Sequence, residues 1–362
     1  MQTICLNMIV RNEAKVIRRS LSSVKHKIDY WVIVDTGSTD DTKALILEEL
    51  KDIPGELHDR PWVNFEHNRN EALELALGKA SYLLFIDADE QWVFSQDFDK
   101  NSLSHDFYVV KNRDLNVDLH RILLVNTSFP WRWKGVLHEE IFSPYPVSGA
   151  ILPGVTNYGF IRDGYRARDP ERYLKDAEIL EKALLSEPDN ARYVFFLAQS
   201  YATAGKSEKA LKNYKKRTQM GGFEPEIFWS YFSIGCLRQD LKADPKLIVE
   251  SYCHAYFLDP TRAEPLHHLA AFYQDQNNQF LAYLITKYAL TLPQPTALGY
   301  ILRDIYDHLL LSRFAVAAHH LGKLEEAKPC YEKLLANPNI PPETRHIAEH
   351  NLKQLLAKTA QY

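Results

Sequence analysis

The chain of 362 residues is long enough for two or three domains, each with its own hydrophobic core. Its composition, 46% hydrophobic and 25% charged, is typical of a globular protein, and a net charge of −4 provides no basic surface, so nucleic-acid binding is not expected. The four cysteines lie far apart without a Cys-x-x-Cys pair, which favours reduced thiols in a cytoplasmic protein over a disulfide framework or a zinc site.

The first predicted element is a strand and not an export signal. The N-terminal MQTICLNMIVRNE has no basic start followed by an apolar stretch, so it does not resemble a signal peptide. No apolar run approaches the roughly 18 residues that a membrane-spanning helix needs, and we expect no transmembrane segment.

Up to about residue 165, short β-rich runs alternate with helical stretches, which is typical of a β-α-β sheet. Strands are predicted over residues 3–10, 30–35, 56–59 and 82–86, and helices over 14–24, 40–50 and 66–77. The last strand is almost continuously apolar, as expected when helices cover both faces of a sheet. We therefore predict a Rossmann-like α/β domain over residues 1–165.

Polar side chains follow the predicted strands where each one ends. Asp35 stands in VIVDTGSTDDT (32–42), in which Gly37 permits a tight turn and residues 38–40 can cap the next helix. The amides at that helix N-terminus form a candidate anion site, and an ordinary β-to-α turn is the alternative. Asn12-Glu13 follows the first strand, and Arg69-Asn70 opens a helix.

The apolar strand 82–86 stops abruptly at Asp87-Ala88-Asp89-Glu90. Like charges this close repel one another and raise each other's pKa, unless a cation shares them. In open α/β sheets, ligands bind at the carboxyl ends of the strands. We therefore expect these acids to lie in a ligand site and to have a positively charged partner.

From about residue 170 the sequence becomes helical and repeats itself. Placing 187–201 over 259–273 superposes Ala191 on Ala263, Leu197 on Leu269 and Tyr201 on Tyr273. Likewise GKSEKALKNY (205–214) matches GKLEEAKPCY (322–331). This pattern resembles the tetratricopeptide repeat, a helix-turn-helix unit of about 34 residues. We predict an all-α repeat domain over 166–362, with an irregular helical domain as the alternative.

The N-terminal sequence resembles the family 2 glycosyltransferases, whose catalytic domain has the nucleotide-sugar-binding GT-A fold. The matching segments are MIVRNEAKVIRRSLSSV, VIVDTGSTDDT and RNEALELALGKASYLLFIDADE, in the family's order. The resemblance covers about the first 145 residues. It implies an enzyme that uses a nucleotide-sugar donor, with UDP as the expected nucleotide, and a divalent metal, Mn²⁺ or Mg²⁺.

The resemblance also implies roles for individual residues. Asp89 would ligate the metal, Asp87 would contact the metal or the ribose, and Asp35 and Arg69 would contact the base. Glu13 is a weaker candidate for the ribose or the base. Glu90 is either part of this site or solvated surface.

A second candidate cluster lies in PWRWKGVLHEEI (130–141), which resembles a segment near the end of many family 2 catalytic domains, as does Arg121 before it. By this resemblance His138 would be a third metal ligand and Glu139 the base that deprotonates the acceptor, with Glu140 as its rival. The two tryptophans of this segment either pack in the core or stack on the substrate.

The two-part organisation is similar to that of bacterial S-glycosyltransferases of glycopeptide bacteriocins. The resemblance implies an inverting transfer to a protein, peptide or glycan acceptor, and a homodimer through the repeats is one expectation. A repeat scaffold that has lost turnover is the alternative function. A nucleotidyltransferase would need a Gly-rich phosphate loop, and MIVRNEAK has no glycine.

The closing segment 344–362 is predicted to be an amphipathic helix. Ile347, Leu352, Leu355 and Leu356 are expected on roughly one face. Such a helix could cap the last repeat or contact a partner.

Overall fold

The computed structural model describes residues 1–159, 163–295 and 299–359. The chain divides into two compact units, a sheet unit, Met1–Pro188, and a helical unit, Asp189–Tyr362. The sequence-predicted domain boundary after residue 165 lies just before a helix that this division assigns to the sheet unit.

The sheet unit combines a parallel half with a mixed half. Its strands are β1 Ile4–Val10, β2 Tyr30–Asp35, β3 Gly55–Asp59, β4 Tyr82–Phe85, β5 Gln91–Phe94, β6 Phe107–Asp114, β7 Val117–Asn126, β8 Arg132–Lys134, β9 Glu140–Phe142 and β10 Gly149–Tyr158. Its helices are α1 Ile17–Val24, α2 Thr42–Glu49, α3 Phe65–Ala76 and α4 Arg172–Ser186.

The strand order is β3-β2-β1-β4-β7-β6-β10-β5, and β8 and β9 form a separate antiparallel pair. The pairs β1–β2, β1–β4 and β2–β3 are parallel, which confirms the predicted β-α-β half. All four residues of β4 are buried, because the strand lies in the centre of the order. The later strands were not individually predicted from the sequence.

The helical unit consists of consecutive helices joined by short connections, except for the longer stretch 290–309 between the last two pairs. They are α5 Ala191–Thr203, α6 Ser207–Thr218, α7 Glu224–Asp240, α8 Pro245–Leu258, α9 Glu264–Asp275, α10 Gln279–Ala289, α11 Leu310–His320, α12 Leu324–Ala336 and α13 Pro342–Thr359. Each helix packs against the next along the chain, as in stacked helical hairpins. None of the helices in the described ranges is long and apolar enough to span a membrane.

The two aligned repeat segments adopt the same local structure. Gly205 and Gly322 have φ of +71° and +72°, and each lies just before the second helix of its pair. Five residues after each glycine, Ala210 and Ala327 are fully buried, where a larger side chain would hold the helices apart. These equivalences confirm the predicted tetratricopeptide-like repeats.

Helix α13 packs on α11 and α12, but the predicted apolar face was partly wrong. Leu355 is 1% exposed and Leu352 packs against the same core cluster. Ile347 and Leu356 are instead 43% and 45% exposed. Because a straight α-helix turns by 100° per residue, the adjacent Leu355 and Leu356 cannot both face the core fully. Residues 360–362 of the predicted helix lie outside the described residues.

Candidate functional site

The carboxyl ends of β1, β2 and β4 bring the predicted site residues to one edge of the sheet. β1 pairs in parallel with both β2 and β4, so these three strands end side by side. Glu13 follows β1, Asp35 ends β2, and Asp87 and Asp89 follow β4. The edge therefore gathers four carboxylates from three separate segments of the chain.

Asp35 is fully buried, and one of its two carboxylate oxygens accepts hydrogen bonds from the described residues. Its Oδ1 accepts the backbone N–H groups of Gly37 (2.9 Å) and Ser38 (2.8 Å), and Gly37 has the positive φ, +103°, expected of the tight turn. Its Oδ2 receives no hydrogen bond from any residue in the described ranges. A buried carboxylate oxygen without a donor is costly unless a ligand supplies one.

Backbone N–H groups of the turn after β2 donate to nearby side chains, which bears on the predicted anion site. Gly37 and Ser38 donate to Asp35, and Thr39 donates its N–H to Asn12 Oδ1 (2.8 Å). The N–H of Thr42 donates to Asp40 (3.1 Å). Because these four N–H groups already have acceptors, they are not available to an anion.

Asp87 is held by two arginines. Its Oδ1 lies 2.7 Å from Arg69 Nη2, and its Oδ2 lies 3.4 Å from Arg121 Nη2. Burial favours the neutral acid, but the two guanidinium groups outweigh this effect and lower the pKa of Asp87 well below its ordinary value. The positive partner expected for the acids is thus supplied to Asp87 by the protein itself.

Glu90 is buried and supports Asp87, so its interpretation as solvated surface was wrong. Its Oε1 accepts from Arg121 Nη1 (2.7 Å), and its Oε2 accepts the backbone N–H of Asp87 (3.1 Å). Burial raises the pKa of Glu90 although Arg121 opposes this shift. Glu90 therefore fixes both the main chain of Asp87 and the guanidinium group that pairs with it.

Asp89 has a different environment. Arg19 donates to its backbone carbonyl (3.0 Å) and not to its carboxylate, which forms no ion pair with any described residue. Burial and the nearby charge of Asp87 raise the pKa of Asp89. A carboxylate that is repelled by the neighbouring Asp87 and forms no ion pair with a described residue fits a divalent cation, which takes carboxylate oxygens as ligands.

Glu13 faces the segment that follows β10. Both of its carboxylate oxygens accept the backbone N–H of Tyr165, at 3.1 and 3.0 Å. Burial, opposed by this hydrogen bond and assisted by the charge of Asp89, raises the pKa of Glu13 to about 7. Glu13 therefore lies close enough to Asp89 for the two charges to interact.

The segment 130–141 joins the same site through Arg69. Arg69 Nε donates to Glu139 Oε1 (2.6 Å) while its Nη2 pairs with Asp87, so one guanidinium group links the two predicted clusters. Asn70 exchanges hydrogen bonds of 2.8 Å with the backbone of Trp133, which anchors the segment to α3.

The remaining predicted residues of this segment differ in exposure. His138 is exposed with φ of +52°, and Glu140 is exposed at the start of β9. Trp131 and Trp133 are each 5% exposed in the core cluster, so they pack in the protein interior. No group of three or more His, Cys, Asp or Glu side chains within the described ranges is arranged to hold a metal by itself.

Sequence analysis missed two features of the site. Arg19 contacts the main chain of Asp89 and also pairs with Asp163 (2.9 Å), and neither residue was singled out. Gly164 approaches Asp89 so closely that a Cβ atom there would lie 2.8 Å from Oδ2. The sequence GYRARD (164–169) contains no motif that predicts this contact, because the contact depends on the position of the chain after β10.

Comparison with known proteins supports the interpretation of the sheet unit. Residues 5–96 match the sequence model of glycosyl transferase family 2. This segment runs from β1 through β5 and includes Glu13, Asp35, Arg69, Asp87 and Asp89. The sheet unit therefore carries a family 2 glycosyltransferase segment, as the sequence motifs indicated.

Three curated relatives cover different parts of the chain. The SPbeta prophage-derived glycosyltransferase SunS of Bacillus subtilis is 25% identical over 59% of this chain and 53% of its own length. A TPR repeat-containing protein of Synechococcus elongatus is 25% identical over 78% of this chain and 74% of its own. An uncharacterized glycosyltransferase of Rickettsia felis is 36% identical over 25% of this chain and 30% of its own. The chain spans about half the length of the SunS relative.

Solved structures similar to about half of this chain include MamA and a TPR protein. MamA is 14% identical with a TM-score of 0.38, covering 53% of this chain and 92% of that one. A thermophilic TPR protein of Thermus thermophilus is 20% identical with a TM-score of 0.37, covering 50% of this chain and 91% of that one.

Proposed function

We propose that this protein is a metal-dependent, inverting glycosyltransferase that moves a sugar from a UDP-sugar donor to a protein, peptide or glycan acceptor. The observation that carries the proposal is the single sheet edge at which Asp35, Asp87 and Asp89 meet the Arg69–Glu139 ion pair. Three of these acids and Arg69 belong to the segment that matches the glycosyltransferase family. The similarity to SunS, a named glycosyltransferase, supports the same activity.

The donor site follows from the unsatisfied groups of this edge. The carboxylate of Asp89, which forms no ion pair with a described residue, would hold Mn²⁺ or Mg²⁺, and Asp87 would contact the metal or the ribose. Such a cation, when bound, stabilises the diphosphate as it leaves. Asp35 Oδ2 has no donor among the described residues, so an N–H group of the base could donate to it. Glu13 is the further candidate for the ribose or the base.

For transfer, an acceptor nucleophile must lose its proton as its bond to the anomeric carbon forms and the bond to UDP breaks. We assign proton removal to Glu139, whose carboxylate is oriented by Arg69. Glu140 is the alternative base, and it is exposed. His138 would complete the metal ligands only if the cation binds close to the loop before β9.

The tetratricopeptide-like helices suggest a role in binding protein. Stacked helical hairpins form extended surfaces suited to polypeptides. We propose that these surfaces bind a polypeptide acceptor or a second copy of the chain.

A screen of nucleotide sugars tests the function. The purified chain with Mn²⁺ is expected to bind and slowly hydrolyse one UDP-sugar, and Asp89→Asn is expected to abolish that hydrolysis. Asp97→Asn, which changes an exposed acid beyond β5, is the matched control and should retain it. Binding of UDP without turnover of any donor or acceptor would favour the alternative of a scaffold that has lost catalysis.

A further inference from the structure

The segment of residues 163–168, hereafter the strap, lies across the candidate donor site. It follows β10 and precedes α4. Asp163 pairs with Arg19 of α1 through two hydrogen bonds, at 2.9 and 3.0 Å. At its other end, the guanidinium group of Arg166 lies 5.0 Å from the ring of Phe65, the first residue of α3.

Between these anchors the strap contacts two of the proposed donor-binding acids. A Cβ atom on Gly164 would lie 2.8 Å from Asp89 Oδ2 and 3.1 Å from its Cγ, so only a glycine allows the main chain to come this close. Gly164 does not have a positive φ, and its lack of a side chain serves this close contact and not a left-handed turn. The strap therefore covers one side of the Asp89 carboxylate.

The next residue engages Glu13. The backbone N–H of Tyr165 donates to both carboxylate oxygens of Glu13, and this N–H makes no bond to the strap's own carbonyl groups. Carbonyl groups of the strap instead accept from Ala167 and Arg168, which close its short helical turn. The strap thus remains folded by itself and contributes one donor to the site.

We propose that the strap is an autoinhibitory contact and that Glu13 is the positioning residue that holds it closed. This proposal rests on the proposed nucleotide-sugar donor. In this proposal the ribose or base group binds the face of Glu13 that the Tyr165 N–H occupies and replaces this N–H, and a cation at Asp89 shares the space beside Gly164. The nucleotide and the closed strap therefore compete for the same oxygen atoms.

Substitution of Tyr165 separates the N–H from the side chain. Tyr165 has φ of −53°, a value that proline adopts. Tyr165→Pro therefore removes the one N–H that the Glu13 carboxylate accepts from the described residues. Tyr165→Ala keeps the N–H and removes the ring, and it is the matched control. Asp163→Asn weakens the other anchor without altering residue 165 and is expected to act in the same direction as the proline variant.

The first measurement is UDP binding in the presence of Mn²⁺ by titration calorimetry. Tyr165→Pro is expected to bind UDP about 5- to 10-fold more tightly than Tyr165→Ala, because a hydrogen bond to a charged acceptor no longer has to be broken. The turnover number should change less than the Michaelis constant for the donor. Equal or weaker binding by the proline variant would overturn the proposal, because the strap would then support the nucleotide or ignore it.

The second measurement needs no nucleotide. Hydrogen exchange of a peptide that contains the strap is expected to be faster in Tyr165→Pro than in Tyr165→Ala, with unchanged exchange in the central strands of the sheet. If the rates are equal, Glu13 does not hold the strap closed, and the proposal is refuted whether or not UDP binds. If exchange rises but neither wild type nor variant binds UDP, Glu13 holds the strap closed as proposed, but the proposed donor and the inhibition of its binding are wrong.

Discussion

Replacement of Arg69 by methionine tests whether one guanidinium group holds the site together. The side chain of Arg69 is 11% exposed and makes ion pairs of 2.7 Å with Asp87 and 2.6 Å with Glu139. Removing one partner of a buried ion pair costs about 3 to 5 kcal/mol, since a charge is left uncompensated. We expect the low end, about 3 kcal/mol, because Asp87 is 33% exposed and keeps Arg121. Arg69→Lys retains the charge but cannot bridge both acids, so about half of this loss is expected.

Urea unfolding followed by tryptophan fluorescence measures this loss in the sheet unit, because all of the 6 tryptophans except Trp229 lie there. With a slope of about 1.5 to 3 kcal/mol per M, the midpoint should fall by about 1 to 2 M at pH 7. The pKa of Asp87 is lowered in the folded state, so its stabilising effect is present above the unfolded pKa of about 4 and is lost as the pH falls further. The difference between wild type and variant should therefore narrow below about pH 4. An unchanged midpoint at pH 7, or a difference independent of pH, would refute the argument.

Three other substitutions or truncations test the remaining assignments. Asp89→Asn should abolish Mn²⁺-dependent turnover while leaving the melting temperature unchanged or higher, because repulsion from Asp87 is removed; full activity in both this variant and EDTA-treated wild type would contradict the metal assignment. Glu139→Gln should retain donor binding and lose about 10²-fold or more in the rate of transfer, with a smaller loss for Glu140→Gln. A larger loss for Glu140→Gln would instead identify Glu140 as the base. Light scattering should detect a dimer of the full chain and a monomer after truncation at Pro188. A monomeric full-length chain at micromolar concentration would contradict the predicted dimer.

The first half of the sheet could be predicted because its signals are local. The strand 82–86 is uniformly apolar and ends in acids, and the observed β4, Tyr82–Phe85, differs from the prediction by one residue. The later strands could not be placed in the same way. β10 changes register between Ile151 and Thr156, and β5 has only four residues, so neither carries a sustained alternation.

The partners of the acids could not be predicted because they depend on strand register. β4 and β7 are antiparallel with Leu84 opposite Leu124, and continuing that register by three residues places Asp87 opposite Arg121. These two residues lie 34 positions apart in the sequence, and no local pattern predicts their ion pair. The same reasoning applies to Glu90, whose burial follows from its bonds to Arg121 and to the main chain of Asp87.

The acids at the centre of the site outnumber the arginines that pair with them. Asp87, Asp89, Glu90 and Glu139 carry four negative charges when ionised, and the guanidinium groups that pair with this set, Arg69 and Arg121, carry two positive charges. This set therefore has two more negative charges than positive charges when all four acids are ionised. Because Asp89 is the member of this set without an ion pair to any described residue, the uncompensated charge is concentrated at the residue proposed to bind the metal. The arginines thus lower the electrostatic cost of folding the acidic cluster without a ligand, and they leave one carboxylate whose repulsion a cation would relieve.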